Sequence, residues 1–194
     1  MDLILQKKVN YIKSSKSGDG FTLIEAIVST AVFAFLISSV LGVYMATLQL
    51  DKKSKAFRVV TQNARFISGY INKEVTNGSV NYGGTNNSST LSLINQSNEI
   101  ETIQLSGDNL VLTKTVGGSQ VATNLNSDQV KITKATFLLN PASNPFTAAK
   151  NVNIQPSITV ILEITSDIGG SRVTDMSKIN LQNTYTVRNY PSRQ

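Results

Sequence analysis

Few residues of this chain are equipped for chemistry, and the first of them stand together near the N-terminus as Gly20-Phe21-Thr22-Leu23-Ile24-Glu25. A lone glycine meets an apolar run, and a carboxylate follows five residues on. A carboxylate costs about 2.5–3.5 kcal/mol at the centre of a membrane span and less near its edge. Glu25 therefore needs a partner or a task, unless it is simply an acid near a helix end reaching toward head groups. Glu99 and Glu101 lie two apart on an expected strand, hence on one face, and a carboxylate pair can cleave glycosides. The plainer expectation for them is a solvated strand face, and no catalytic residue is expected. Histidine and cysteine are both absent. That removes the commonest general base, the Ser-His-Asp triad, any thiolate nucleophile, disulfides and Cys-containing zinc sites. No Asp-x-Asp-x-Asp loop or tight acidic cluster is present, so neither a metal nor a cofactor is expected.

Two further features invite a binding function. Lys52-Lys53-Ser54-Lys55 with Arg58 forms a basic cluster, and basic patches attract phosphate. Aromatic interleaving is sparse and no nucleic-acid module accompanies it, so the cluster is expected against lipid head groups or solvent, and nucleic acid is not an expected partner. The pairs Gly83-Gly84, Gly117-Gly118 and Gly169-Gly170 lack the GxGxxG and GxxxxGK[ST] patterns of phosphate loops and are expected to be turns. Asn77, Asn86 and Asn87 each open a glycosylation sequon, which marks exposed loops.

The elements that must position these residues follow from hydropathy. The chain has 194 residues, a formal net charge of +6 and only 15% charged residues, values that average two unlike regions. Phe21 to Leu50 is apolar with Glu25 as its only charge. Thirty helical residues reach roughly 45 Å, enough to cross a hydrocarbon core of about 30 Å. A cleaved secretory signal has a shorter apolar core, of about 7–15 residues. Lysines 7, 8, 13 and 16 precede the span, while Lys52, Lys53, Lys55 and Arg58 follow it, so the positive-inside comparison is nearly a tie.

Beyond the span, Phe57, Val60, Ala64, Ile67, Ile71 and Val75 recur at spacings of three and four, with Gln62, Asn63, Arg65, Asn72, Lys73 and Glu74 on the other faces. One helix over 21–76 is expected, ending at Asn77-Gly78 as a left-handed stop. Residues 81–89 read as a loop. Strands are expected over 90–95, 101–106, 110–116, 130–137, 157–165 and 180–188, with a turn at Gly107-Asp108-Asn109 and an irregular excursion over 140–155 carrying Pro141 and Pro145. Turns rather than helical crossovers join the strands, so the fold class is α+β: a long N-terminal helix, membrane-spanning then amphipathic, packed on a mainly antiparallel sheet.

The segment GFTLIEAIVSTAVFAFL resembles the N-terminal signature of type IV pilins and type II secretion pseudopilins. The resemblance covers about thirty residues and combines leader, cut site, acid and span in order. It implies a cytoplasmic leader over 1–20, cut between Gly20 and Phe21 by a prepilin peptidase, with Phe21 then N-methylated. Asp19 departs from the basic residue that often precedes the glycine. Glu25 becomes the acid at the fifth mature position, with a role in assembly. Residues 21–50 become the filament-core helix, 51–76 its amphipathic continuation and 77–194 a globular β domain, in a pilin-like fold. The implied partners are other pilin or pseudopilin subunits, the peptidase, the cytoplasmic membrane and an assembly platform protein. The implied location is a single pass through the cytoplasmic membrane, leader inside and globular part outside, and then an extracytoplasmic filament. The large irregular C-terminal part, with no cysteine pair to close a loop, leans toward a minor subunit, like a J-type pseudopilin. The retained Glu25 argues against the outermost tip subunit. Two alternatives remain: an adhesin or DNA-uptake receptor displayed on such a filament, and an ordinary membrane-anchored surface protein.

Overall fold

The computed structural model describes residues 20–146, 154–168 and 176–188. Residues 1–19 of the expected leader, the Gly169-Gly170 pair, most of the 140–155 excursion's second half and residues 189–194 lie outside the described residues. The chain divides into two compact units, Met1–Met45 and Ala46–Gln194.

Helix α1 runs from Leu23 to Asn77. Its residues in the first unit are mostly apolar on every side, with Glu25 the one charge, and every one is exposed. Helix α1 is long and apolar enough to cross a membrane. The hydroxyls within the apolar run do not interrupt it. Thr30 Oγ1 donates to the Ala26 carbonyl at 2.7 Å, Ser38 Oγ to Ala34 at 2.8 Å and Ser39 Oγ to Phe35 at 2.9 Å. Each of these three hydroxyls thus finds its partner one turn back on the same helix, an arrangement that keeps a hydroxyl satisfied where water is scarce.

In the second unit the same helix becomes one-sided. Ala56, Val60, Ala64, Ile67, Ile71 and Val75 are buried, a stripe at three- and four-residue spacing. Two sequence expectations fail here. Phe57 is 55% exposed and Ala56 takes its place, because the i±4 row through Ala64 and Val60 leads back to Ala56. Glu74 is 8% exposed rather than on a solvated face, since it lies three residues from Ile71 on the buried side. Gly78 ends the helix without a left-handed φ. Its Cβ would clash with the Ile94 carbonyl oxygen and lie 2.6 Å from that of Glu74, so glycine is needed for close approach.

The rest is antiparallel β-structure, in two sheets rather than one. The five-stranded sheet is a meander of β1 (Ser79–Val80), β2 (Thr90–Ile94), β3 (Ile100–Ser106), β4 (Asn109–Val116) and β5 (Ser119–Asn124), in that order. The three-stranded sheet has β6 (Val130–Asn140), β7 (Ser157–Ser166) and β8 (Lys178–Thr186). Gly107 has φ +60° in the β3–β4 turn, and Gly117 and Gly118 have φ +59° and +85° in the β4–β5 turn, as two-residue hairpins require. The core joins the helix stripe to both sheets: Ile67, Leu91, Leu93 and Ile103 belong to one cluster with Ile132, Leu162 and Ile164. Strand β7 alternates strictly, burying Ile158, Val160, Leu162, Ile164 and Ser166. The fold is α+β, with an N-terminal helix packed on antiparallel sheets.

Candidate functional sites: the capped N-terminus and a buried carboxylate

Gly20 and Phe21 precede the helix and are exposed, Phe21 to 71%. Thr22 is the N-cap. Its Oγ1 accepts a hydrogen bond from the Glu25 backbone N–H at 3.3 Å, and its carbonyl accepts one from Ala26 N–H at 3.1 Å. Thr22-Leu23-Ile24-Glu25 therefore has the residue types and spacing of a capping box, placing an acid in the first turn where the helix dipole favours negative charge. Glu25 is exposed and has no ion-pair partner among the described residues. The helix starts at Leu23 and not at Phe21, so Phe21 is not held on a rigid helical rise above Glu25. The sequence expectation of one helix over 21–76 is corrected there, because Thr22 terminates it.

The second carboxylate site overturns an expectation. Glu101 is not on a solvated strand face: it is fully buried, on the side of β3 that faces the helix. Register explains its neighbour. Glu101 stands directly opposite Lys114 on β4, and Lys114 Nζ lies 2.7 Å from Glu101 Oε1. Asn95 Nδ2 donates to the same oxygen at 2.9 Å, and the Tyr70 hydroxyl, from α1, donates to Oε2 at 3.1 Å. Lys114 Nζ also sits 5.6 Å from the centre of the Tyr70 ring. Glu99 is not on the strand. It lies in the turn before β3, where its N–H donates to Asn95 Oδ1 at 2.9 Å and its Oε2 accepts from Asn95 Nδ2 at 3.1 Å. Asn98 in that turn has φ +61°, a conformation asparagine tolerates.

Electrostatics follow from this enclosure. Burial pushes the Tyr70 hydroxyl up from 10.0 to about 12, against the opposing hydrogen bond to Lys114. Burial disfavours the charge on Lys114, but hydrogen bonds to Glu101 and Tyr70 outweigh it and its pKa is raised. Both oxygens of Glu101 are occupied by donors of the same chain. The carboxylate ties helix α1 to β3 and β4 and is not presented to a substrate.

Sequence reasoning missed Tyr70, Asn95 and Lys114 as partners. One signal was available: the hairpin read from ETIQLS and LVLTKTV places Glu101 and Lys114 at inward positions of alternating strands. The basic residues Lys52, Lys53, Lys55 and Arg58 are all exposed, and Lys55 Nζ lies 2.8 Å from Asp51 Oδ2. Among the described residues no group of three acidic side chains is placed to hold a metal. Comparison of the chain with family models, with curated proteins and with solved structures gives no match.

Proposed function

We propose that the chain is a prepilin-like structural subunit, processed by a prepilin peptidase and assembled into a type IV pilus-like or type II secretion pseudopilus filament as a minor subunit. The observation that carries this reading is the segment Gly20–Glu25. An exposed glycine and phenylalanine lie just outside a Thr22-capped helix, with one acid in its first turn and an apolar run behind it. A peptidase needs its scissile bond out of a helix, and the Gly20–Phe21 bond is. Glycine at position 20 leaves room for the enzyme's own groups beside the carbonyl under attack. The apolar, fully exposed first part of α1 supports membrane residence before assembly and helix packing after it. The leader then faces the cytoplasm, and the β domain lies outside.

Processing supplies the test. Intact-mass analysis of the chain from a cell with an active peptidase is expected to show loss of residues 1–20 from 194, leaving 174 residues that begin at Phe21 and carry one added methyl group. Gly20→Leu is expected to retain the leader. Full-length, unmethylated protein in such a cell sinks the assignment and leaves a membrane-anchored surface protein as the better account.

A further inference from the structure

The face of the five-stranded sheet turned away from the core carries no charge over β2, β3 and β4. Pairing aligns its residues in rows: Thr90 with Gln104 and Val111, then Ser92 with Thr102 and Thr113. The charged pair Glu101 and Lys114 belongs to the opposite face. Residues 81–85 rise beside this face and turn part of it into a groove of about 520 Å³, within the size range of small-ligand sites.

The groove's wall is built, not loose. Asn81 Nδ2 donates to Ser92 Oγ at 3.0 Å, and Asn81 N–H donates to the Ser92 carbonyl at 3.1 Å. Asn86 clamps the same segment: its Nδ2 donates to the Asn81 carbonyl at 2.7 Å, and its Oδ1 accepts from Ser92 N–H at 2.8 Å. Gly84 fits so closely that a Cβ there would come 2.6 Å from both Asn81 Nδ2 and Ser92 Oγ. By contrast the side chains of Thr85, Thr90, Thr102 and Gln104, which line the groove, have no hydrogen-bond partner among the described residues. Beside them Ile100 is 47% exposed.

We infer that this groove binds a neutral oligosaccharide. Hydroxyls and a primary amide both donate and accept, which matches a polyhydroxylated ring whose every hydroxyl does the same. Ile100 offers an apolar surface to the C–H face of such a ring. No charged side chain lines the groove, so an ion entering it finds no opposite charge to pair with. An extended peptide would be expected to add to a sheet edge instead, and the edge of β2 is covered by β1 and the pinned 81–89 segment. This inference stands apart from the filament reading, since it uses none of residues 20–50.

The test uses the full chain in a zwitterionic detergent that contains no sugar. Cellotetraose, maltotetraose and N-acetylated chitotetraose are the probes, followed by saturation-transfer NMR and titration. At least one is expected to bind. Thr102→Lys, which places a long charged side chain in the groove at a strand position outside the core, should weaken that binding at least about tenfold. Gln120→Lys, on β5 outside the groove, should leave it unchanged. Gln104→Lys, which likewise puts a long cationic side chain into the groove from an exposed strand position, replaces Thr102→Lys if the latter fails to keep the wild-type melting curve. Failure of all three probes overturns the inference. So does equal loss in the groove and β5 variants, or equally tight binding of anionic tetragalacturonate.

Discussion

Glu101 and Lys114 face each other across β3 and β4, yet they are not equivalent. Glu101 is 0% exposed, whereas the Lys114 side chain is 33% exposed. Losing Glu101 leaves a cation that can turn outward to water. Losing Lys114 leaves a buried carboxylate supported only by Tyr70 and Asn95. Lys114→Ala is therefore expected to be the more damaging change, costing about 3 kcal/mol or more, and Glu101→Gln the milder one. Urea titration of the full chain in detergent, followed by tyrosine fluorescence, checks the order; a reversed order would mean that Asn95 and Tyr70 alone satisfy the carboxylate. Alkali should act on the same group. Burial raises Tyr70 to about 12 from 10.0, and the Lys114 pKa is raised too. A raised pKa means that the folded state holds the proton more tightly, so this stability is complete below pH 10 and declines as pH climbs through about 12. The melting temperature should fall over that interval, and less steeply in Tyr70→Phe. Equal slopes in the two proteins would remove Tyr70 from the alkaline transition.

At the scale of elements, two glycines of one helix region should respond to the same substitution with opposite sign. Gly69 has nothing within 4 Å of its missing Cβ and lies inside α1, so Gly69→Ala should stabilise by about 0.5–1 kcal/mol. Gly78 has carbonyl oxygens of Ile94 and Glu74 where its Cβ would go, so Gly78→Ala should destabilise by about 1–3 kcal/mol. Denaturant midpoints decide both, and a neutral Gly78→Ala would show that β1 and β2 can shift to make room. These glycines also illustrate what was legible. A helix stop at Gly78 could be read from sequence, but its cause could not, because the clash comes from Ile94 in a distant strand. The α+β class, the helix stripe from Val60 to Val75 and most strands were readable from period-3.6 and period-2 patterns. Strand β5 was not. SQVATN is exposed along its whole length, so burial imprints no alternation on it, and only its pairing with β4 makes it a strand. The division into two sheets was likewise hidden, since alternation records one buried face but not which sheet shares it. For the sites, Glu25 announced itself by its chemistry against an apolar run. Glu101 could be read only as an inward position of the 101–116 hairpin, and its Tyr70 partner could not, because it arrives from α1.

At the scale of the whole molecule, the filament proposal turns on what Glu25 does, and the Thr22 cap sharpens the question. One task for Glu25 is local: in a capping box, the third-position acid supports the helix start, and glutamine performs that role nearly as well. The other task is between chains. Cutting after Gly20 creates a cationic amine at Phe21, and in a low-dielectric filament core an unpaired carboxylate is costly while an opposite charge from a neighbouring chain is strongly favoured. Such a pair would also set the axial register between subunits. Phe21 precedes the helix, so its amine is free to approach its own Glu25 as well as a neighbour's, and geometry within one chain does not choose between them. Chemistry does. Glu25→Gln keeps the cap and removes the charge; Glu25→Ala removes both; Glu25→Asp keeps the charge and shortens the reach. If charge pairing drives assembly, Gln and Ala should both incorporate poorly into filaments while Asp incorporates better, with expression and cleavage at Gly20 little changed in all three. The measurement is the amount of processed chain in sheared filaments relative to the amount in the membrane. Incorporation of Glu25→Gln at the wild-type level would reduce Glu25 to a helix cap, and the filament proposal would then rest on the cleavage site alone.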